Sequence, residues 1–302
     1  MQLIKNTLTI EFVKQFNIFF RASLLALLFS ITIMIMKGIE PSIDFIGGTT
    51  FNISFTDKIE IAKLRQDLQK TLNKTIDVVV INGNDDSMMT VLIKLPFGDY
   101  ENTINKIFNN NYPDYIINQQ ISIGPKIGNE LKSSALNAIM LALILISFYI
   151  AIRFDRYYAL GSLAALIHDI LITIALLSLF NIEFSITIIA ALLTIVGYSL
   201  NDTIVIYDRI RENMNKLFDL DKDQIINRSL NESLNRTFIT SFTTLIVVVI
   251  LYFLGGDVLQ PFAFALIIGV LIGTYSSIFI ASPIMLYLEK KYPIPEVTDL
   301  ED

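Results

Sequence analysis

Long apolar blocks alternate with short polar connections along this chain. Six runs, at roughly 18–36, 133–152, 159–180, 184–206, 238–255 and 261–287, are dominated by apolar residues. A helix of about 20 residues spans the roughly 30 Å hydrocarbon core of a bilayer. The pattern therefore predicts an α-helical polytopic membrane protein with six transmembrane helices. Between the first two runs the period shortens. "TTFNISF" (49–55), "TIDVVVI" (75–81), "MMTVLIKL" (88–95) and "YIINQQISIG" (115–124) have strand composition. "DKIEIAKLRQDLQKTL" (57–72) and "YENTINKIFNN" (100–110) have helical spacing, and "NGNDDS" is a turn cluster. The order βαββαβ is that of the split βαβ, ferredoxin-like plan, an antiparallel sheet with both helices on one face. This predicts an α+β domain between helices 1 and 2. The charged, amphipathic connection 207–237 reads as a helix lying along the membrane surface.

Basic residues orient the spans, because Lys and Arg accumulate in cytoplasmic connections. Lys5, Lys14 and Arg21 precede or open the first run, and Arg153 and Arg156 follow the second. Arg209, Arg211, Lys216, Lys222, Arg228 and Arg236 follow the fourth, and Lys290 and Lys291 follow the last. The connections at 181–183 and 255–260 have none. Both termini are expected on the cytoplasmic side, with 37–131 outside. The expected organisation is 1–36 as cytoplasmic N-terminus and first helix, 37–131 as outer domain, 132–288 as helices 2 to 6, and 289–302 as cytoplasmic tail.

Composition narrows the classes further. The chain is 53% hydrophobic and only 17% charged, too apolar for an ordinary soluble domain, and its formal net charge of −6 argues against a nucleic-acid partner. Cysteine is absent, so no disulfide framework or thiolate chemistry is expected. The first run is longer than a signal-peptide core and "IMIMKGIEPS" offers no cleavage site, so it reads as a retained helix. No phosphate loop, H-E-x-x-H or G-x-S-x-G occurs. The expectation is a protein that is not an enzyme, with no cofactor and no metal.

Polar groups within the apolar runs carry the candidate chemistry. Asp202 stands near the end of the fourth run, after Asn201. An aspartate at a helix centre costs about 2.5–3.5 kcal/mol on the insertion scale, against roughly 0.3–0.6 returned by each Ile, Leu, Val or Phe. A dozen such residues let this helix insert. Thr194, Tyr198 and Asp202 recur every four residues and predict a polar stripe facing protein or a wet cavity. On the fifth run Arg236, Thr240 and Thr244 share a face, at a depth where Arg236 and Asp202 can pair. A carboxyl switched between a paired and an unpaired state takes up and releases a proton. The alternative is a static interfacial anion balanced by Arg209. His168 and Asp169 in "LIHDILI" lie near mid-membrane, either a satisfied buried pair or part of a polar interior. Gly269, Gly273 and Ser277 form a small-residue ridge suited to close helix packing.

"GYSLNDTIVIYDRIREN" (197–213) closely resembles the signature of the SecF proteins of the SecD/SecF family, within the resistance-nodulation-division superfamily. "DFIGGTT" (44–50), "IGPKIGNEL" (123–131), "NESLNRTFITSFTTL" (231–245) and "GTYSSIFIASP" (273–283) match further elements of that family. The resemblance implies a six-helix half-bundle completed by a SecD-like subunit, expected as a separate chain, beside the SecYEG translocon of the bacterial inner membrane. It implies use of the proton-motive force to promote late preprotein translocation and release. Asp202 and Arg236 match the family's proton-conducting positions, and a role for His168 and Asp169 is a weaker carry-over. A proton-driven small-molecule or lipid exporter of the same superfamily is the alternative. An intramembrane aspartyl protease built on Asp169 and Asp202 is the remote one.

Overall fold

The computed structural model describes residues 10–72, 76–82, 88–112 and 114–292. Most of the turn cluster at 82–87, the first nine residues and the last ten lie outside them. The chain divides into two compact units, an α+β unit and a unit of long helices.

In chain order the elements are α1 (Phe12–Lys37), α2 (Ile43–Ile46), β1 (Gly48–Phe55), α3 (Ile61–Leu72), β2 (Asp77–Asn82), β3 (Met89–Leu95), α4 (Glu101–Asn111) and β4 (Tyr115–Ile123). There follow α5 (Pro125–Arg153), α6 (Arg156–Leu179), α7 (Ile186–Lys216), α8 (Lys222–Leu254) and α9 (Gly256–Ser276). A π-helical turn at Ser277–Ala281 then leads into α10 (Ser282–Lys291). Among the described residues six spans are long and apolar enough to cross a membrane, the sixth running through α9, the π turn and α10.

The α+β unit follows the alternation of its strands. The sheet order is β2-β3-β1-β4 with antiparallel neighbours, which places β3 between β1 and β2, the arrangement of the split βαβ plan. Phe51, Ile53 and Phe55 leave one face of β1 together, since successive side chains alternate. They meet Val91, Ile93 and Leu95 of β3, with Leu64 and Leu68 of α3 and Ile104 and Phe108 of α4. One core thus holds both helices on one face of the sheet. The β1–β4 pairing skips Asn118, whose amide donates to Asn52 Oδ1 (3.0 Å) and Ser54 Oγ (2.7 Å).

Two of the signature stretches meet in this unit. Gly47 turns the chain at φ +77°, a conformation that L side chains avoid. A Cβ there would lie 2.9 Å from the Pro125 backbone, and one on Gly128 would lie 2.9 Å from the Phe45 carbonyl oxygen. The glycines of "DFIGGTT" and "IGPKIGNEL" let two backbones touch.

In the helical unit, the Asp155 side chain accepts from the N–H groups of Tyr157 and Tyr158 and so starts α6 with only two residues between it and α5. The connection expected along the membrane surface at 207–237 is not a separate helix. With no Gly or Pro to stop either element, α7 runs on to Lys216 and α8 starts at Lys222, and the two pack together. Asn213 Nδ2 bonds Ser229 Oγ at 3.0 Å, while Ile210 joins Ile226 and Leu230 in the same core. The π turn has a local cause. Pro283 has no N–H for the carbonyl four residues back, and the ladder widens over the preceding turn, where Ser282 Oγ donates to Ser277 O at 3.0 Å.

Candidate functional site

Asp202 is 1% exposed on α7. Its carboxylate receives Thr240 Oγ1 on one oxygen and Ser241 Oγ on the other, both at 3.3 Å and both from α8. Ser241 Oγ also lies 2.7 Å from Thr274 Oγ1 of α9. Three helices therefore meet at one carboxyl through hydroxyls alone. Hydroxyl hydrogen bonds usually lie near 2.7–2.8 Å, so Asp202 is loosely held.

Asp169 is held tightly. It is fully buried on α6, and its Oδ2 accepts from Ser199 Oγ of α7 at 2.7 Å and Ser276 Oγ of α9 at 2.8 Å. Its Oδ1 faces His168 Nδ1 at 3.0 Å, and the His168 ring stacks beside Tyr275. His168 Nε2 is buried without a hydrogen-bond partner. The Tyr275 hydroxyl bonds the Phe19 carbonyl at 2.9 Å and Ser23 Oγ at 2.6 Å, which brings α1 into the cluster. Asp169 and Asp202 share no hydrogen bond, and each carboxyl is held by its own set of partners.

The small-residue ridge explains how three helices come this close. A Cβ on Gly269 would lie 2.2 Å from Ile195 Cγ1, and one on Gly273 would lie 2.9 Å from Ser199 Cβ. Ser277, the third member, is buried and donates to the Thr274 carbonyl of its own helix. The glycines bring α9 against α7 where Ser199 and Ser276 reach Asp169 together.

Other expected partners lie elsewhere. Arg236 makes no ion pair with Asp202; its exposed side chain lines a cleft with Val205, Asp208, Arg209, Glu212, Glu232 and Ser233. The stripe on α7 does not stay on one face. Four residues turn about 400°, so each step drifts by roughly 40°. Thr194 is exposed and bonds its own helix at Ala190, Tyr198 is half-buried with an unpartnered hydroxyl, and Asn201 is exposed. Ser241, which the sequence places beside the Arg236 face of the fifth run, reaches Asp202, whereas Ser199, Thr274 and Ser276 carry the site without having been singled out from the sequence. Serine and threonine are common in membrane helices, and only their meeting with two aspartates distinguishes them. Among the described residues no group of His, Cys, Asp or Glu could hold a metal ion.

A bundle of six membrane-spanning helices with hydroxyl-cradled carboxyls in its interior defines a polytopic membrane protein with a polar interior. The family model "Protein export membrane protein SecD/SecF, C-terminal" matches residues 103–291. A protein translocase subunit SecF of Calditerrivibrio nitroreducens is 39% identical over 298 residues, covering 96% of this chain and 97% of that one. One from Rhodothermus marinus is 41% identical, covering 88% of each. The crystal structure of SecDF from Thermus thermophilus, a translocon-associated membrane protein, superposes with a TM-score of 0.86 at 36% identity. It covers 96% of this chain, which spans 40% of that longer one. The chain belongs to the SecD/SecF family of protein-export membrane proteins.

Proposed function

We propose that this chain is the SecF-type subunit of a Sec protein-export machine, a coupling subunit rather than an enzyme. It acts with a SecD-like partner beside the SecYEG translocon and uses the proton-motive force to promote late translocation and release of preproteins. The relatives' name, protein translocase subunit SecF, supports the export role. The distribution of basic residues supports a bacterial inner-membrane protein with both termini cytoplasmic and 37–131 periplasmic. The observation that carries the coupling is the Asp202 cradle.

Proton uptake changes the demands of that cradle. An ionised carboxylate only accepts hydrogen bonds, whereas a protonated one also donates. The Thr240 or Ser241 hydroxyl must then turn from donor to acceptor. Because Ser241 is bonded to Thr274, the change reaches α9 as well as α8. A proton crossing 100 mV delivers about 2.3 kcal/mol, enough to exchange two hydroxyl bonds of about 1 kcal/mol net each.

The test is release of a secreted protein in cells carrying Asp202→Asn, with membrane levels of both subunits followed in parallel. Release is expected to fall while both subunits remain assembled, because the amide keeps the shape and cannot carry the proton. Normal release would leave Asp202 a buried structural polar group.

A further inference from the structure

Phe218 and Leu220, in the turn between α7 and α8, are 78% and 40% exposed. Membrane-spanning helices show apolar side chains to lipid, so the depth of the turn decides what these two face. The spans leave the hydrocarbon on this side near Arg153, where α5 ends and pairs with Asp208 of α7 at 3.1 Å. From Asp208, α7 runs on to Lys216, roughly 12 Å along its axis. The headgroup layer on each face of a bilayer is only about 5–8 Å thick. The turn therefore stands in water, beyond the reach of lipid.

It is also a built turn. The Leu220 N–H donates to the Leu217 carbonyl at 3.0 Å, and the N–H groups of Gln224 and Ile225 both donate to the Asp221 carbonyl. Two ion pairs, Lys222–Glu289 (2.7 Å) and Lys290–Asp223 (2.5 Å), fasten the start of α8 to α10. Lys216 is paired with Glu212 at 2.6 Å. These three lysines are thus neutralised by carboxylates. Asp219 and Asp221, on either side of Leu220, are exposed and enter no ion pair among the described residues. An aromatic side chain held out by an ordered backbone loses little freedom on being covered, which is the property of an interface anchor. The unpaired charges around this anchor are both negative.

We propose that this turn is a docking knob for a basic cytoplasmic segment of a neighbouring membrane subunit. Phe218 and Leu220 enter an apolar recess of that segment, and its Lys or Arg side chains meet Asp219 and Asp221. An anionic bilayer surface is disfavoured twice, by distance and by sign. Membrane proteins concentrate Lys and Arg in their cytoplasmic connections, so subunits on the same side of the membrane carry the charge complementary to this turn. The side that the turn faces and the identity of its neighbours rest on the function proposed above.

The test puts the photoreactive aromatic p-benzoylphenylalanine in place of Phe218 in the full chain, in cells coexpressing its SecD-like and SecYEG subunits. Irradiated adducts are purified, digested and sequenced by mass spectrometry. The expected adduct lies in a Lys- or Arg-rich cytoplasmic segment of one of those subunits. Reversing both charges, Asp219→Lys with Asp221→Lys, brings like charges together and is expected to lower the yield at least about tenfold at an unchanged membrane level of the chain. A smaller fall is expected from Asp219→Asn with Asp221→Asn, which keeps the shape and decides the matter if the reversed turn fails to assemble. No adduct, an adduct only with lipid, with residues 1–9 of the same chain or with a second copy, or a yield indifferent to the charges overturns the docking. The two readings fail separately: a missing adduct leaves proton-coupled export standing, whereas normal release by Asp202→Asn leaves the adduct in place.

Discussion

Two buried aspartates on neighbouring helices are held by hydrogen bonds of different length. Asp169 accepts two serine hydroxyls at 2.7 and 2.8 Å, whereas both bonds to Asp202 are 3.3 Å. The short pair ties α6, α7 and α9 into one joint; the long pair leaves a carboxyl that can change partners. Removing a donor from the tight cluster strands part of a buried carboxylate, at about 1–3 kcal/mol. Ser199→Ala is therefore expected to lower the thermal stability of the purified chain more than Ser241→Ala does. Ser241→Ala is expected to impair export more, because it cuts the connection from Asp202 to α9. Melting curves in detergent beside an export assay check both halves. Equal effects on both readouts would dissolve the distinction between joint and switch.

At the scale of elements, glycine plays opposite parts in two helices. Gly269 sits where α9 meets Ile195 of α7, and a methyl group would overlap that buried side chain at 2.2 Å. Gly197 on α7 has nothing within 4 Å of the position a Cβ would take. Overpacking a tight interface costs about 1–3 kcal/mol, whereas alanine in place of glycine in an open helical position gains roughly 0.5–1 kcal/mol. Gly269→Ala should destabilise the purified chain and Gly197→Ala should not, as thermal unfolding in detergent will show. Spacing marks Gly269 as part of a small-residue ridge, but what a methyl group would meet at either position is decided by the neighbouring helix. The same holds for 207–237, where the charge pattern describes an amphipathic helix correctly but not the hairpin into which α7 and α8 extend.

For the whole molecule, parity is the strongest constraint. Six crossings return the chain to its starting side, whichever side that is, and four crossings bring the α7–α8 turn there as well. With the positive-inside rule, single cysteines at Asp219 in the turn and at Lys290 should react from the cytoplasmic face. A cysteine at Asp99, between β3 and α4, should react only from the outside. Reaction of Asp219→Cys and Asp99→Cys from the same face would remove one span from the count.

Much of this protein was legible along the chain. Hydrophobic run length determined the six spans, because backbone polar groups in hydrocarbon leave little alternative to helix. Alternation in the α+β domain determined its strands and the apolar faces that make its core, since a period of two admits no other assignment of faces. The aspartates stood out because an ionisable group in an apolar run is costly. Tertiary structure alone decided what surrounds them. Ser199 and Ser276, and likewise Ser241 and Thr274, are distant in sequence and meet only where helices cross. Arg236 was expected against Asp202 because the two share a depth. Depth is one coordinate and the angle around the helix is another, and packing turned the arginine into the cleft. A linear pattern gives height along each helix and the apolar face of each; which faces meet, and which hydroxyl therefore reaches which carboxylate, is a property of the packed bundle.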